Sequence, residues 1–122
     1  MAGDGTNRTT VYGIANCDAV RRARRWLDER GVEHAFHDYR KAGIEAARLD
    51  AWAARVGWDQ LLNRRGTTWR GLDASAREGV DRAKAIRLMA QSPTLVRRPV
   101  IEHGDEVVVG FDETLFTKAF GA

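Results

Sequence analysis

The chain has 122 residues, of which 43% are hydrophobic and 30% charged, and its formal net charge is +3. That length suits one hydrophobic core, the apolar content excludes a disordered chain, and no apolar run approaches the roughly 20 residues needed to span a bilayer. A single cysteine rules out an intramolecular disulfide and points to a reducing compartment, the cytoplasm.

Residues 1–9 contain no apolar stretch that could serve as a signal-peptide core, and they read as a flexible tail ahead of one domain over residues 10–122. Thr10 to Ile14 is short and rich in β-formers, which predicts a buried strand. Asn16 offers an N-cap oxygen, and a helix is expected from Cys17 to Arg30 with Val20, Ala23 and Leu27 on its apolar face and Gly31 as its stop. Glu33 to Tyr39 alternates partially and predicts a strand. Leu49, Trp52, Ala53 and Val56 define a helix from Glu45 to Val56, and Trp58 to Leu62 reads as a further short helical turn. The stretch Asn63 to Arg70 has no period and reads as a loop. After a polar segment, Val80, Ala83, Ile86, Met89 and Ala90 mark another helix that closes near Ser92 and Pro93. Val100-Ile101, a turn at His103-Gly104-Asp105 and Val107 to Phe111 form an expected β-hairpin. Asp112 then caps a last helix carrying Leu115, Phe116, Ala119 and Phe120. The order β-α-β, helical insert, β-β-α predicts an α/β fold with a small mixed sheet, the thioredoxin-like arrangement.

Three features carry chemistry. Cys17 at the start of a helix faces backbone N–H groups without intrahelical partners and the positive end of the macrodipole, which favours the nucleophilic thiolate; the alternative is a buried structural cysteine. Arg97-Arg98-Pro99-Val100 opens a strand at a proline, either as two solvated arginines or as a cis-proline beside the thiol with Arg98 aimed at an anion. Arg64-Arg65-Gly66-Thr67-Thr68-Trp69-Arg70 is either an oxyanion-binding loop or a solvated surface loop. His34, His37 and His103 have no metal-ligand spacing with Cys17, so no metal is expected. The arginines at 21, 22, 24 and 25 read as a helix surface rather than a nucleic-acid stripe.

Taken in order, Val11-Tyr12-Gly13-Ile14-Ala15-Asn16-Cys17-Asp18, Leu61 to Arg70 and Val96-Arg97-Arg98-Pro99-Val100 resemble the ArsC/Spx superfamily, with the pattern nearest to its YffB branch of small thiol reductases. The resemblance covers roughly residues 10–120. It implies a thioredoxin-like fold with a helical insert, Cys17 as the family's cysteine and Arg98-Pro99 as its Arg-cis-Pro. Arsenate reductases of the family hold their oxyanion with three arginines. One matches Arg98. At a second position this chain has Leu61-Leu62-Asn63, with arginines displaced to 64 and 65, and at the third Val109-Gly110-Phe111 supplies no basic residue. The Cys-x-x-Cys switch of many Spx regulators is also missing, because Cys17-Asp18-Ala19-Val20 lacks a second cysteine.

The resulting expectation is an oxidoreductase, a glutathione-dependent thiol reductase whose single cysteine turns over through a mixed disulfide resolved by an outside thiol. Cys17 is the catalytic residue, and Asn16, Arg64, Arg65, Arg98 and Pro99 bind the substrate or its anionic groups. Glutathione enters as co-substrate and no bound cofactor is expected. A protein disulfide is a further partner; nucleic acid and membrane are not, and the chain is expected to be a monomer. Two alternatives stay open: an arsenate or other oxyanion reductase, and a non-enzymatic Spx-like regulator that binds RNA polymerase.

Overall fold

β-branched and aromatic side chains dominate Thr9–Gly13, and this segment forms β1, an inner strand of a four-stranded sheet. The computed structural model describes residues 8–120. Of the expected tail, residues 1–7 lie outside the described residues, whereas Thr9 is already buried in β1. Two compact units are present. The first joins the chain up to Ala42 with the chain from Arg98 onward, and the second is Gly43–Arg97.

In the first unit the strands lie in the order β2-β1-β3-β4, with β2 at Ala35–Asp38, β3 at Val100–His103 and β4 at Glu106–Val109. β1 runs parallel to β2 and antiparallel to β3, and β3 runs antiparallel to β4. This is the expected mixed thioredoxin-like sheet. The parallel β1–β2 pair needs a crossover, which helix α1, Asp18–Glu29, supplies. α1 buries Val20, Ala23, Trp26 and Leu27, one residue more than the expected stripe. Its end is a Schellman turn: Gly31 N–H donates to Asp28 O at 3.1 Å and Val32 N–H to Leu27 O at 2.9 Å, with Gly31 at φ +70°. α1 approaches β1 so closely that a Cβ on Gly13 would sit 2.6 Å from Val20 Cγ2. Any larger residue there would force the Val20 side chain to shift.

After β2 the chain turns at once into α2, Tyr39–Ala42, so the strand is shorter than the expected Glu33 to Tyr39. The hairpin turns over Gly104-Asp105, and His103 belongs to β3 rather than to the turn. The last helix of this unit, at Glu113–Phe120, is capped as expected, with Leu115 N–H donating to Asp112 Oδ1 at 3.0 Å. Phe116 packs edge-on against Trp26 and Phe111, with ring centroids 5.3 and 5.0 Å away. Leu115, expected on the apolar face, is exposed instead, because the 3.6-residue period turns it about 100° away from Phe116.

His103 accepts or donates a 2.7 Å hydrogen bond with Thr9 Oγ1 and stacks at 4.6 Å on Phe120. Burial and the Arg8 guanidinium hold its imidazole below the ordinary value, against the pull of Glu106. The unfolded chain therefore binds a proton that the folded chain refuses. Stability is unaffected above about pH 6.5 and falls as pH drops below it. In thermal melts, His103→Gln should lose less melting temperature than the parent between about pH 7 and about pH 5. Equal slopes for the two proteins would refute the assignment.

The second unit is helical. α3, Ala46–Val56, buries Leu49, Trp52 and Ala53 and ends at Gly57, whose φ is +91°. α4, Trp58–Leu61, follows directly. The stretch read as a loop contains one turn of helix, α5 at Thr67–Arg70, and the polar segment contains another, α6 at Ala74–Arg77. Single turns leave no hydrophobic period to detect. α7, Arg82–Gln91, starts where Asp81 Oδ1 accepts from Lys84 N–H at 2.9 Å. It buries Ala85 and Met89, whereas Ala83 is exposed, so the apolar face is rotated from the expected one. A 3-10 turn at Pro93–Leu95 leads into a bridge between Leu62 and Val96. The last helix of the chain, Glu113–Phe120, is α8.

Candidate functional site

Strand direction decides which residues meet. Gly13 pairs with Asp38 in the parallel pair, and Tyr12 pairs with Val100 in the antiparallel one. The carboxyl ends of β1 and β2 and the amino end of β3 therefore share one end of the sheet. Cys17 follows β1, Tyr39 follows β2, and Arg98 precedes β3.

Cys17 is half-buried, and it packs against the cluster formed by Val11, Val20 and Ala23 among others. The fully buried structural cysteine is thereby set aside. Cys17 itself takes the N-cap position of α1 in an extended conformation, φ −139° and ψ 125°, and its carbonyl accepts from Arg21 N–H at 2.9 Å. This corrects the expectation for Asn16. Asn16 lies one residue outside the helix, exposed, and its Oδ1 accepts from Arg21 Nη1 at 3.1 Å instead of capping the first turn. No side-chain cap occupies the helix start, so the sulfur rather than an amide oxygen stands at the positive end of α1.

Arg98 carries the other half of the arrangement. Its guanidinium acts electrostatically on both the Cys17 sulfur and the Tyr39 phenol oxygen. Burial pulls the guanidinium toward its neutral form, but Tyr39 and the Cys17 sulfur more than offset this and hold it above its ordinary value. Burial likewise pushes the Tyr39 phenol well up, opposed by Arg98 and reinforced by Cys17 and Asp38. The Arg98–Pro99 peptide is cis, as the strand-opening proline suggested. Pro99 is buried, and its carbonyl accepts from Gly110 N–H at 2.8 Å. Asp38 braces the neighbouring turns: Oδ1 accepts from Arg40 N–H at 3.0 Å and Oδ2 from Ala15 N–H at 3.5 Å.

The first unit thus brings together Cys17, Arg98 and Pro99 among the expected site residues, with Asn16 alongside in sequence. Tyr39 was not anticipated. Arg64 and Arg65 belong to the second unit and are both exposed. Arg64 lies 5.4 Å from the Trp58 ring centre and 5.9 Å from that of Trp69, and Arg65 N–H donates to Asn63 Oδ1 at 3.0 Å. Among the described residues, no group of three or more His, Cys, Asp or Glu could hold a metal ion, and no helix is long and apolar enough to cross a membrane.

Residues 12–119 match the profile of the ArsC family. The chain belongs to the ArsC family. Its structure is similar to that of the YffB protein, with a TM-score of 0.88 and 44% identity over 91% of this chain and 97% of that one. An uncharacterized protein of Haemophilus influenzae is 41% identical over 111 residues, 91% of this chain and 97% of the relative. The global transcriptional regulator Spx of Streptococcus pneumoniae is 24% identical over 106 residues, 85% of this chain and 79% of the regulator. Similarity thus extends both to an arsenate reductase (ArsC) related protein of Brucella melitensis, with a TM-score of 0.73 and 43% identity over 97% of this chain and 98% of that one, and to a regulator, and the reading of this member's function rests on the site.

Proposed function

We propose that the protein is a glutathione-dependent thiol reductase of the cytoplasm, with Cys17 as its nucleophile. The observation that carries this reading is the meeting of Cys17, at the N-cap of α1, with the Arg98 guanidinium that precedes β3 at the same end of the sheet. Both the helix end and the guanidinium stabilise negative charge on sulfur, and the thiolate is the form that attacks disulfides. The Cys17 thiolate attacks the glutathionyl sulfur of a mixed disulfide, the S–S bond breaks, and the substrate leaves as a thiolate that takes up a proton. A glutathione thiolate then attacks the glutathionyl sulfur on Cys17, glutathione disulfide leaves, and the Cys17 thiolate is restored. The sum consumes one mixed disulfide and one glutathione and yields one thiol and one glutathione disulfide. A chain with one cysteine needs that outside thiol.

In this reading Arg98 stabilises the charge as it returns to sulfur, Pro99 shapes the groove, and Asn16 precedes the thiol in the chain. An arsenate reductase needs further cations around its oxyanion. At the end of β4, Gly110 donates its backbone N–H to the Pro99 carbonyl, and Val109-Gly110-Phe111 supplies no basic residue of its own. The test is a coupled assay with glutathione, glutathione reductase and NADPH, supplied with either a glutathionylated peptide or arsenate. NADPH should be consumed with the peptide at a rate well above the protein-free control. Consumption with arsenate alone would replace the proposed activity by oxyanion reduction, and consumption with neither would favour the regulator.

A further inference from the structure

We infer that Tyr39 is a positioning residue that holds the Arg98 guanidinium on the Cys17 sulfur. The inference rests on the reading of Cys17 as the reacting thiol. An arginine side chain is long and loses considerable rotamer entropy when held in one pose, so a half-buried guanidinium aimed at a sulfur needs a second anchor. Tyr39 provides it. The residue is fully buried, unlike its exposed neighbours Arg40 and Lys41, and Arg98 acts electrostatically on its oxygen.

Its place in the fold explains why this anchor is rigid. Tyr39 is the first residue of α2, directly after Asp38, which pairs with Gly13 across the parallel β2–β1 contact. Asp38 also accepts from Arg40 N–H, fixing the turn from strand to helix on which Tyr39 sits. Arg98 is held from its other side, because Pro99 is buried and bonded to Gly110 and β3 begins at Val100. The guanidinium is thereby drawn between two groups that the sheet places independently, a phenol after β2 and a sulfur after β1. The charged or titratable groups acting on this pair are Arg98, Cys17, Tyr39 and Asp38. Tyr39 does no chemistry on the sulfur itself. It narrows the poses of Arg98 to the one that stabilises the thiolate.

Cys17 is the only thiol in the chain, so thiolate absorbance and alkylation by iodoacetamide each report on it alone. Four full-length proteins are compared: the parent, Tyr39→Phe, Arg98→Ala and the double variant. Phenylalanine keeps the buried ring and removes only the oxygen. Tyr39→Phe should slow alkylation near neutral pH by roughly three- to tenfold, in the same direction as Arg98→Ala. In the Arg98→Ala background the same change should do nothing further, because the group it positions is gone. A Tyr39→Phe protein that alkylates like the parent, while Arg98→Ala does not, overturns the positioning role and leaves the thiol reading intact. An equal slowing by Tyr39→Phe in both backgrounds also overturns it, since a general loosening of the core acts with or without Arg98. If Arg98→Ala itself alkylates like the parent, the thiol reading falls and this inference falls with it.

Discussion

Cys17→Ser is expected to abolish glutathione-dependent turnover and to form no adduct with glutathione disulfide. The substitution keeps the size of a half-buried side chain, so the fold survives, but a serine hydroxyl is not ionised near neutral pH and cannot enter thiol–disulfide exchange. No second cysteine exists to take over the reaction. Intact mass after incubation with glutathione disulfide should show one added glutathione on the parent and none on the variant, with matching thermal melts. Turnover by the serine protein at the parent's rate would remove Cys17 from the mechanism.

Arg98→Ala is expected to lower kcat/KM for a glutathionylated peptide by roughly ten- to a hundredfold. The change deletes the cation that acts on the sulfur, and hydrogen bonds to charged groups are worth about 1.5–3 kcal/mol. Arg98→Lys should recover part of the loss, because an ammonium restores the charge without the planar fork that spans sulfur and phenol. Arg22→Ala is the control. That arginine is exposed on α1, where it pairs with Asp18 at 3.3 Å, and its loss should leave the rate unchanged. Initial rates of the three variants decide the matter. Indistinguishable rates for Arg98→Ala and Arg22→Ala would show that the guanidinium contributes nothing to the chemistry.

The element order was legible because each long element has a strong local signal: a β-branched strand before Cys17, the Val20 and Leu27 spacing, glycine stops at Gly31 and Gly57, and the Gly104-Asp105 turn. The single helical turns α5 and α6 left no such signal. The error at Asn16 has a different origin. Asparagine is a better N-cap than cysteine, but the helix starts one residue later and the asparagine oxygen is taken by Arg21. Propensity ranks residues for a position without deciding which residue occupies it. That Cys17 opens a helix could be read from local context, whereas the cis Arg98–Pro99 bond needed the fold to argue for it. Tyr39 could not be found, because partial alternation from Glu33 made it look like the last residue of a strand. A signal was nonetheless available, in that ligands and reacting groups in α/β sheets gather beyond the carboxyl ends of parallel strands, which is where Tyr39 lies.

The register of β1 against β3 also sets a sequence of events during synthesis. Val11 pairs with Ile101, so the strand that delivers Arg98 lies some ninety residues from the one that precedes the cysteine. Closing so long a loop is a late and slow step compared with forming α1 locally. While the chain is still emerging, Cys17 has its helix but not the Arg98 guanidinium. The proposed site is therefore complete only once the carboxy-terminal hairpin docks. An unfinished or broken chain holds the cysteine without the arginine half of that site.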